Sequence, residues 1–210
     1  MSARPEAAYV NPDEAGGNVY DKYASQNPVE RRLVAGFMRD FDELVSRTGA
    51  RSAHEVGCGE GEMSQRMAAA GLEVRATDAF AETIAEAKRR AGGATAIDFE
   101  CKPVQELAPD ADGAELIACC EVLEHLEDPD RALERLAAIA DPWLIASVPR
   151  EPLWRALNLA RGSYVRALGN TPGHVNHWSK RGFRRFLADR FEIVELRSPI
   201  PWTMALCRVR

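Results

Sequence analysis

The chain has 210 residues and a mass of 23.2 kDa, the size of one ordinary domain. Hydrophobic residues make up 46% and charged residues 28%, which excludes collagen, a coiled coil and a small disulfide scaffold. No apolar run approaches the roughly 18 residues of a membrane span, and a chain of this length buries roughly 70% of its unfolded surface without disulfides.

The net charge of −5 hides an asymmetry. Residues 1–144 hold 15 basic and 28 acidic side chains, a net of −13; residues 145–210 hold 12 and 4, a net of +8. The basic last third reads as a solvated face, or as a surface that attracts an anionic substrate, a lipid headgroup or RNA. Residues 1–17 are polar. They lack the apolar centre of a signal peptide and the Arg-rich, acid-poor look of a transit peptide. The five cysteines (Cys58, Cys101, Cys119, Cys120 and Cys207) lie in or beside apolar stretches, and no pair has zinc-ribbon spacing. Reduced, buried, structural thiols in a cytoplasmic protein are expected.

Residues 1–19 read as a loose arm. Asn27 can cap a helix, Pro28 suits its first position and Glu30 its first turn. Leu33, Val34, Phe37, Met38, Phe41, Leu44 and Val45 then recur at helical spacing until Gly49. Short apolar segments next alternate with helical ones. Strands are predicted over 52–56, 72–77, 95–101, 114–120 and 143–148, with helices over 62–70, 82–90 and 130–139 between them. That alternation argues for a parallel sheet with helices on both faces. Past Pro149 the rhythm breaks. Residues 152–168 read as one amphipathic helix, followed by a polar, glycine-containing loop and a helix over 179–187. Strands over 191–196 and 204–209 then close the sheet as an antiparallel pair.

The strongest motif is His54-Glu-Val-Gly57-Cys-Gly59-Glu-Gly61, between a strand and a helix. Glycines there let the backbone turn tightly and approach a ligand, and open parallel sheets bind ligands beyond the carboxyl ends of their strands. A dinucleotide site wants G-x-G-x-x-G. Here the third glycine comes one position early, Glu62 stands in its place, and Glu55, Glu60 and Glu62 would repel a pyrophosphate. They suit a cationic ligand without phosphate. Asp78 ends the second strand, 21 residues after Gly57. Its carboxylate can accept from both hydroxyls of a ribose, and Phe80 offers an aromatic face to an adenine. S-adenosylmethionine has ribose, adenine, a cationic sulfur and no phosphate.

Three segments carry a family resemblance: Glu55-Val-Gly-Cys-Gly-Glu-Gly61, Ala76-Thr-Asp78 and Cys120-Glu-Val-Leu-Glu-His125-Leu-Glu-Asp-Pro129. Over about residues 50–150 the chain resembles the class I S-adenosylmethionine-dependent methyltransferases. The resemblance implies an α/β, Rossmann-like, seven-stranded and mostly parallel sheet with an antiparallel last strand and helices on both faces. It implies one methyltransferase domain over 1–210. Residues 1–48 would be an N-terminal arm and helix, 50–150 the cofactor-binding core, 151–180 a lid or substrate insertion, and 181–210 a closing helix and strands. It places Glu55, Gly57, Gly59, Asp78, Ala79, Phe80, Val104, Gln105 and Cys120 around the cofactor, with Tyr20 and Tyr23 folding over it. Where the family often has an acidic residue near the adenine, this chain has Lys102-Pro-Val-Gln105. Adenine recognition then falls to backbone groups or to Gln105.

Glu121, Glu124 and His125 stand at i, i+3 and i+4 and would share a face on one helical turn. Such a set can bind a divalent cation. It resembles both the ubiquinone-biosynthesis O-methyltransferases and the small-RNA 2′-O-methyltransferases, and in the latter a downstream histidine is also a ligand. His174 and His177 lie about fifty residues on, beside Trp178. The cluster reads either as a site for a cation such as Mg²⁺, or as a base from among His125, His174 and His177. In the ubiquinone-type enzymes an insertion like 152–168 is proposed to meet the membrane or a lipophilic substrate. Here a lid is the preferred reading, with peripheral membrane contact as the alternative. The expected reaction is methyl transfer from S-adenosylmethionine to a small molecule at a hydroxyl oxygen, with a histidine base. The rivals are an RNA 2′-O-methyltransferase and a non-catalytic cofactor-binding regulator. No added RNA-binding domain is visible, which disfavours nucleic acid as a partner. The oligomeric state stays open.

Overall fold

A computed structural model describes residues 27–92, 97–162 and 164–210. Helix α1 spans Pro28–Thr48. Asn27 caps it by accepting from the Val29 amide at 2.9 Å, and Gly49 ends it in the left-handed region at φ 65°. The face expected to be apolar is the buried one: Phe37, Met38, Phe41, Leu44 and Val45 all face the core.

The core then runs β1 (Ser52–Val56), α2 (Glu62–Ala69), β2 (Glu73–Asp78), α3 (Ala81–Arg90) and β3 (Ile97–Cys101). It continues through α4 (Pro109–Asp112), β4 (Ala114–Cys120), α5 (Pro129–Ile139) and β5 (Ala140–Pro149). Helices α6 (Leu153–Ala160) and α7 (Lys180–Leu187) and strands β6 (Phe191–Arg197) and β7 (Trp202–Val209) complete it. The seven strands lie in the order β3-β2-β1-β4-β5-β7-β6. Strands β1 to β5 pair in parallel, and β7 lies between β5 and β6, antiparallel to both. The chain reverses direction across the sheet between β1 and β4, so a crevice opens there beyond their carboxyl ends.

Period-two alternation builds two hydrophobic layers from the same strands. Leu116, Ala118 and Cys120 of β4 face the layer that holds Phe41 of α1 and Met67 of α2. Ile117 and Cys119 face the other, with Leu133 and Leu136 of α5 and Phe183 and Leu187 of α7. Both faces of the central strands are dry, which explains why β4 reads as a continuous apolar run. Each fully buried Leu or Phe contributes about 1.5–3 kcal/mol.

Three expectations are corrected. Residues 152–168 do not form one helix: α6 stops at Ala160, and a short 3-10 turn covers Val165–Ala167. Gly162, Tyr164, Leu168 and Gly169 all have positive φ, which an α-helix does not accommodate. Cys101 is exposed, whereas Cys58, Cys119, Cys120 and Cys207 are buried as expected. Glu121, Glu124 and His125 do not share a helical turn. Glu121 sits at φ 62°, Val122 is not helical, and only Leu123–His125 forms a 3-10 turn. No helix among the described residues is long and apolar enough to cross a membrane.

Candidate active site

The glycine turn is tied to the end of β2. The amides of Gly57 and Cys58 both donate to the Thr77 carbonyl, at 2.8 and 2.9 Å. The Gly59 amide donates to Asp78 Oδ2 at 3.0 Å, and the Phe80 amide to Oδ1 at 3.1 Å. Each carboxylate oxygen keeps lone pairs for a ligand hydroxyl, and the two amides hold the carboxylate rigid. Burial raises the Asp78 pKa above the usual aspartate range, against the Phe80 and Gly59 amides that lower it. Gly57 has φ 74°, and a Cβ there would collide with the side chain of Val122. That close approach places the turn after β1 directly against the segment after β4.

Glu55 lies beneath this turn with 1% of its surface exposed. The Ser64 hydroxyl at the start of α2 donates to it. Desolvation still dominates and pushes its pKa from 4.5 to about 8. Ala79 and Phe80 follow Asp78 at the mouth, with the Phe80 ring exposed. Val104 is buried in a 3-10 turn, Val104–Glu106, beside which Gln105 is exposed. Lys102 does not point its charge freely toward this edge, because its ammonium sits 2.8 Å from Asp112 Oδ2. Asp112 also faces Arg75, and its carbonyl bonds His54 Nδ1 at 2.8 Å. His54 Nε2 meets Thr77 Oγ1 at 2.9 Å, so both ring nitrogens of this buried histidine are engaged in the fold. Tyr20 and Tyr23 lie outside the described residues.

Beyond β4 a second group assembles from distant sequence. The segment 173–176 docks on the turn 123–126. Val175 and Asn176 amides donate to the Glu124 carbonyl at 2.9 and 3.0 Å, and the Asn176 side chain donates to the carbonyls of Leu123 and Leu126. His125 Nδ1 lies 3.0 Å from the Gly173 carbonyl. That carbonyl can only accept, so Nδ1 carries a proton. The His125 and His174 rings meet edge-on with centroids 4.9 Å apart. Glu124, His125 and His174 each offer a ligand atom, all within 4.8 Å of one another. Glu124 and His174 are buried.

Two expected members stand elsewhere. Glu121 turns to Trp202, whose Nε1 donates to its Oε2 at 2.6 Å, and lies 3.4 Å from the Ser147 hydroxyl. His177 Nε2 sits 2.7 Å from Asn170 Oδ1 and 3.2 Å from the Arg155 guanidinium. Desolvation and then the Arg155 charge hold its pKa below the ordinary histidine value. It ties residue 170 to α6 and stands outside the cluster. The segment 169–171 is also bonded to α6 by Trp154 Nε1 on Thr171 Oγ1 at 2.9 Å and by Asn158 Nδ2 on the Gly169 carbonyl at 2.9 Å. Trp154 also links His174 and Trp202, at centroid distances of 5.9 and 5.8 Å.

A buried carboxylate, an aspartate held by two amides and a glycine turn thus meet at the switch point of the sheet. Residues 54–142 match the family model described as a methyltransferase domain. Over that segment the chain is similar to the class I S-adenosylmethionine-dependent methyltransferases. A ubiquinone biosynthesis O-methyltransferase of Bordetella parapertussis is 37% identical over 112 residues, covering 51% of this chain and 46% of that protein. Its namesake in Marinobacter nauticus is 30% identical over 147 residues, covering 67% and 60%. The chain thus spans about half the length of the curated relatives it matches. Magnesium protoporphyrin IX methyltransferase of Synechocystis, solved with bound SAH, superposes with a TM-score of 0.68. It is 20% identical over 90% of this chain and 94% of that one, which shows a shared fold.

No sequence signal points to Trp202 or Ser147. A strand predicted to start at 204 left Trp202 in a connection. No spacing rule links Trp202 to Glu121, 81 residues away.

Proposed function

We propose that this methyltransferase domain moves the methyl group of S-adenosylmethionine to a hydroxyl oxygen of a small molecule. One observation carries the reading: the Asp78-anchored turn and the Glu124–His125–His174 group both lie beyond the carboxyl ends of β1, β2 and β4. On this reading, cofactor and acceptor chemistry meet on the carboxyl-end side of the sheet.

The cofactor supplies an electrophilic methyl on a cationic sulfur. Asp78 would hold the ribose hydroxyls, the Gly57–Gly59 turn would let the backbone approach the methionine part, and Glu55 would receive its ammonium group. The domain's remaining task is to align the acceptor oxygen with the carbon–sulfur bond and exclude water. His125 Nε2, oriented by the Gly173 carbonyl, is placed to take the acceptor's proton, with His174 beside it.

One carboxylate and two imidazoles also form a donor set for a divalent cation. Mg²⁺ prefers oxygen ligands, so the set fits Zn²⁺ or another first-row ion better than Mg²⁺. Such an ion, held by Glu124, His125 and His174, would lower the pKa of an acceptor hydroxyl. The exposed Leu159, Val165, Leu168 and Val175 on and beside the lid, with Arg166 among them, support peripheral contact with a lipid surface and a lipophilic acceptor.

Calorimetry with S-adenosylmethionine on wild type and Asp78→Ala, followed by turnover on a panel of phenols with and without EDTA, tests the reading. Two charge-assisted hydrogen bonds lost to the ribose should weaken binding by about 100-fold or more. His125→Ala and His174→Ala should lose turnover but keep cofactor affinity. Equal cofactor affinity in Asp78→Ala, or full turnover in both histidine variants, would refute it.

A further inference from the structure

Glu121 lies at the boundary between the cofactor crevice and the aromatic wall, and the reading above gives it no task. Its backbone is held at φ 62°, a conformation that costs a non-glycine residue energy and persists only where the surroundings impose it. They do so here: the Glu121 amide donates to the Ser147 carbonyl of β5 at 3.0 Å. The side chain accepts from Trp202 Nε1 at 2.6 Å. Trp202 is 4% exposed and is wedged between Phe37 of α1, 5.1 Å away, and Trp154 of α6. Strands β5 and β7 thus hold Glu121 directly, just past the end of β4, while α1 and α6 hold Trp202. Its neighbour Val122 touches the glycine turn at Gly57, so Glu121 stands one residue from the turn, next to where a cofactor with its ribose at Asp78 and its methionine part at the turn would have its middle.

Resting on the methyltransferase reading, we infer that Glu121 is the residue that recognises the cofactor's sulfonium charge, and that Trp202 is its positioning residue. The cofactor carries a positive sulfur before transfer and a neutral one after it. Asp78 and the glycine turn contact parts common to both forms and cannot tell them apart. A fixed carboxylate held by one indole N–H can, because its charge attracts the cation and offers little to the neutral thioether. Loss of the charge on transfer then removes one attraction and favours product release. This assignment also explains why Glu121 is held off the Glu124–His125–His174 group.

The test is the ratio of affinities for S-adenosylmethionine and S-adenosylhomocysteine, measured by calorimetry in EDTA. Glu121→Gln keeps the shape and removes the charge. It should weaken S-adenosylmethionine by about tenfold and leave S-adenosylhomocysteine within about twofold. Glu121→Asp, which restores charge with a shorter reach, should recover part of the ratio. Trp202→Phe keeps a ring but removes the donor, and should shift the ratio in the same direction by a smaller factor. Equal loss for both ligands in Glu121→Gln would reduce Glu121 to a structural role and overturn the inference alone. So would an unchanged ratio, or a ratio that depends on added Zn²⁺. Failure of wild type to bind either ligand would overturn the cofactor reading itself and the inference with it.

Discussion

Replacing Glu55 by glutamine tests the physics of the cofactor pocket without any knowledge of the acceptor. Glu55 is buried under the glycine turn, and desolvation raises its pKa from 4.5 to about 8, against the Ser64 hydroxyl that lowers it. The unfolded chain therefore gives up this proton near pH 4.5, and the folded chain only near pH 8. Stability from this group is full below about pH 4.5 and is lost as pH rises toward about 8. At about 1.4 kcal/mol per pKa unit, the ceiling on the loss is about 5 kcal/mol; side-chain relaxation and water entry reduce it. Glutamine preserves a hydrogen-bonding partner for Ser64 and has no proton to lose. Melting curves of wild type and Glu55→Gln between about pH 5 and about pH 8.5 should diverge, with the variant gaining about 5–10 °C at the alkaline end. The same variant should bind S-adenosylmethionine more weakly, because the carboxylate would face the ligand's ammonium group. Wild-type binding near pH 7 should release a proton, read by calorimetry in buffers of different ionisation enthalpy. Parallel melting curves, or wild-type binding with no proton release, would refute the assignment of a buried, ligand-facing acid.

The remaining expectations are local. Gly57→Ala forces an L side chain into φ 74° and onto Val122, so it should cost about 2 kcal/mol or more of stability and abolish measurable cofactor binding in a titration. His177→Ala removes the contacts to Asn170 and Arg155. It should raise KM for the acceptor several-fold while leaving S-adenosylmethionine affinity unchanged; a matching loss of kcat at saturating acceptor would instead place His177 in the chemistry. Arg161→Ala breaks a partly exposed ion pair with Glu30 and a bond to the buried Asn158 Oδ1 and should cost about 1–3 kcal/mol of stability in urea denaturation.

Much of the fold was legible because its signals are local. The Asn27–Pro28 start and Gly49 stop of α1 need only neighbouring residues, and β1 and β4 were bounded by turn chemistry and apolar runs. Long-range placement was not legible in this way. Cys101 sits in an apolar context in the sequence, but β3 is an edge strand and leaves its end in water. The stretch 152–168 has helical periodicity, yet Gly169 must pass so close to the Arg155 carbonyl that the chain turns back instead. The spacing of Glu121, Glu124 and His125 is that of a helical turn. Pairing of Glu121 with β5 and Trp202 puts it in the left-handed region and breaks the face.

For the site the division follows the same line. The sequence by itself determined the placing of the half proposed for the cofactor, since the glycine turn and Asp78 each end a strand and strand ends are read from local pattern. Only the tertiary structure decided the half proposed for the acceptor. It brought His174 to His125 across about fifty residues, set His177 against Asn170 and Arg155, and gave Glu121 to Trp202 of the last strand. The physical reason is that backbone propensity acts over a few residues, whereas the partner of a carboxylate or an imidazole is chosen by which elements the sheet order places side by side.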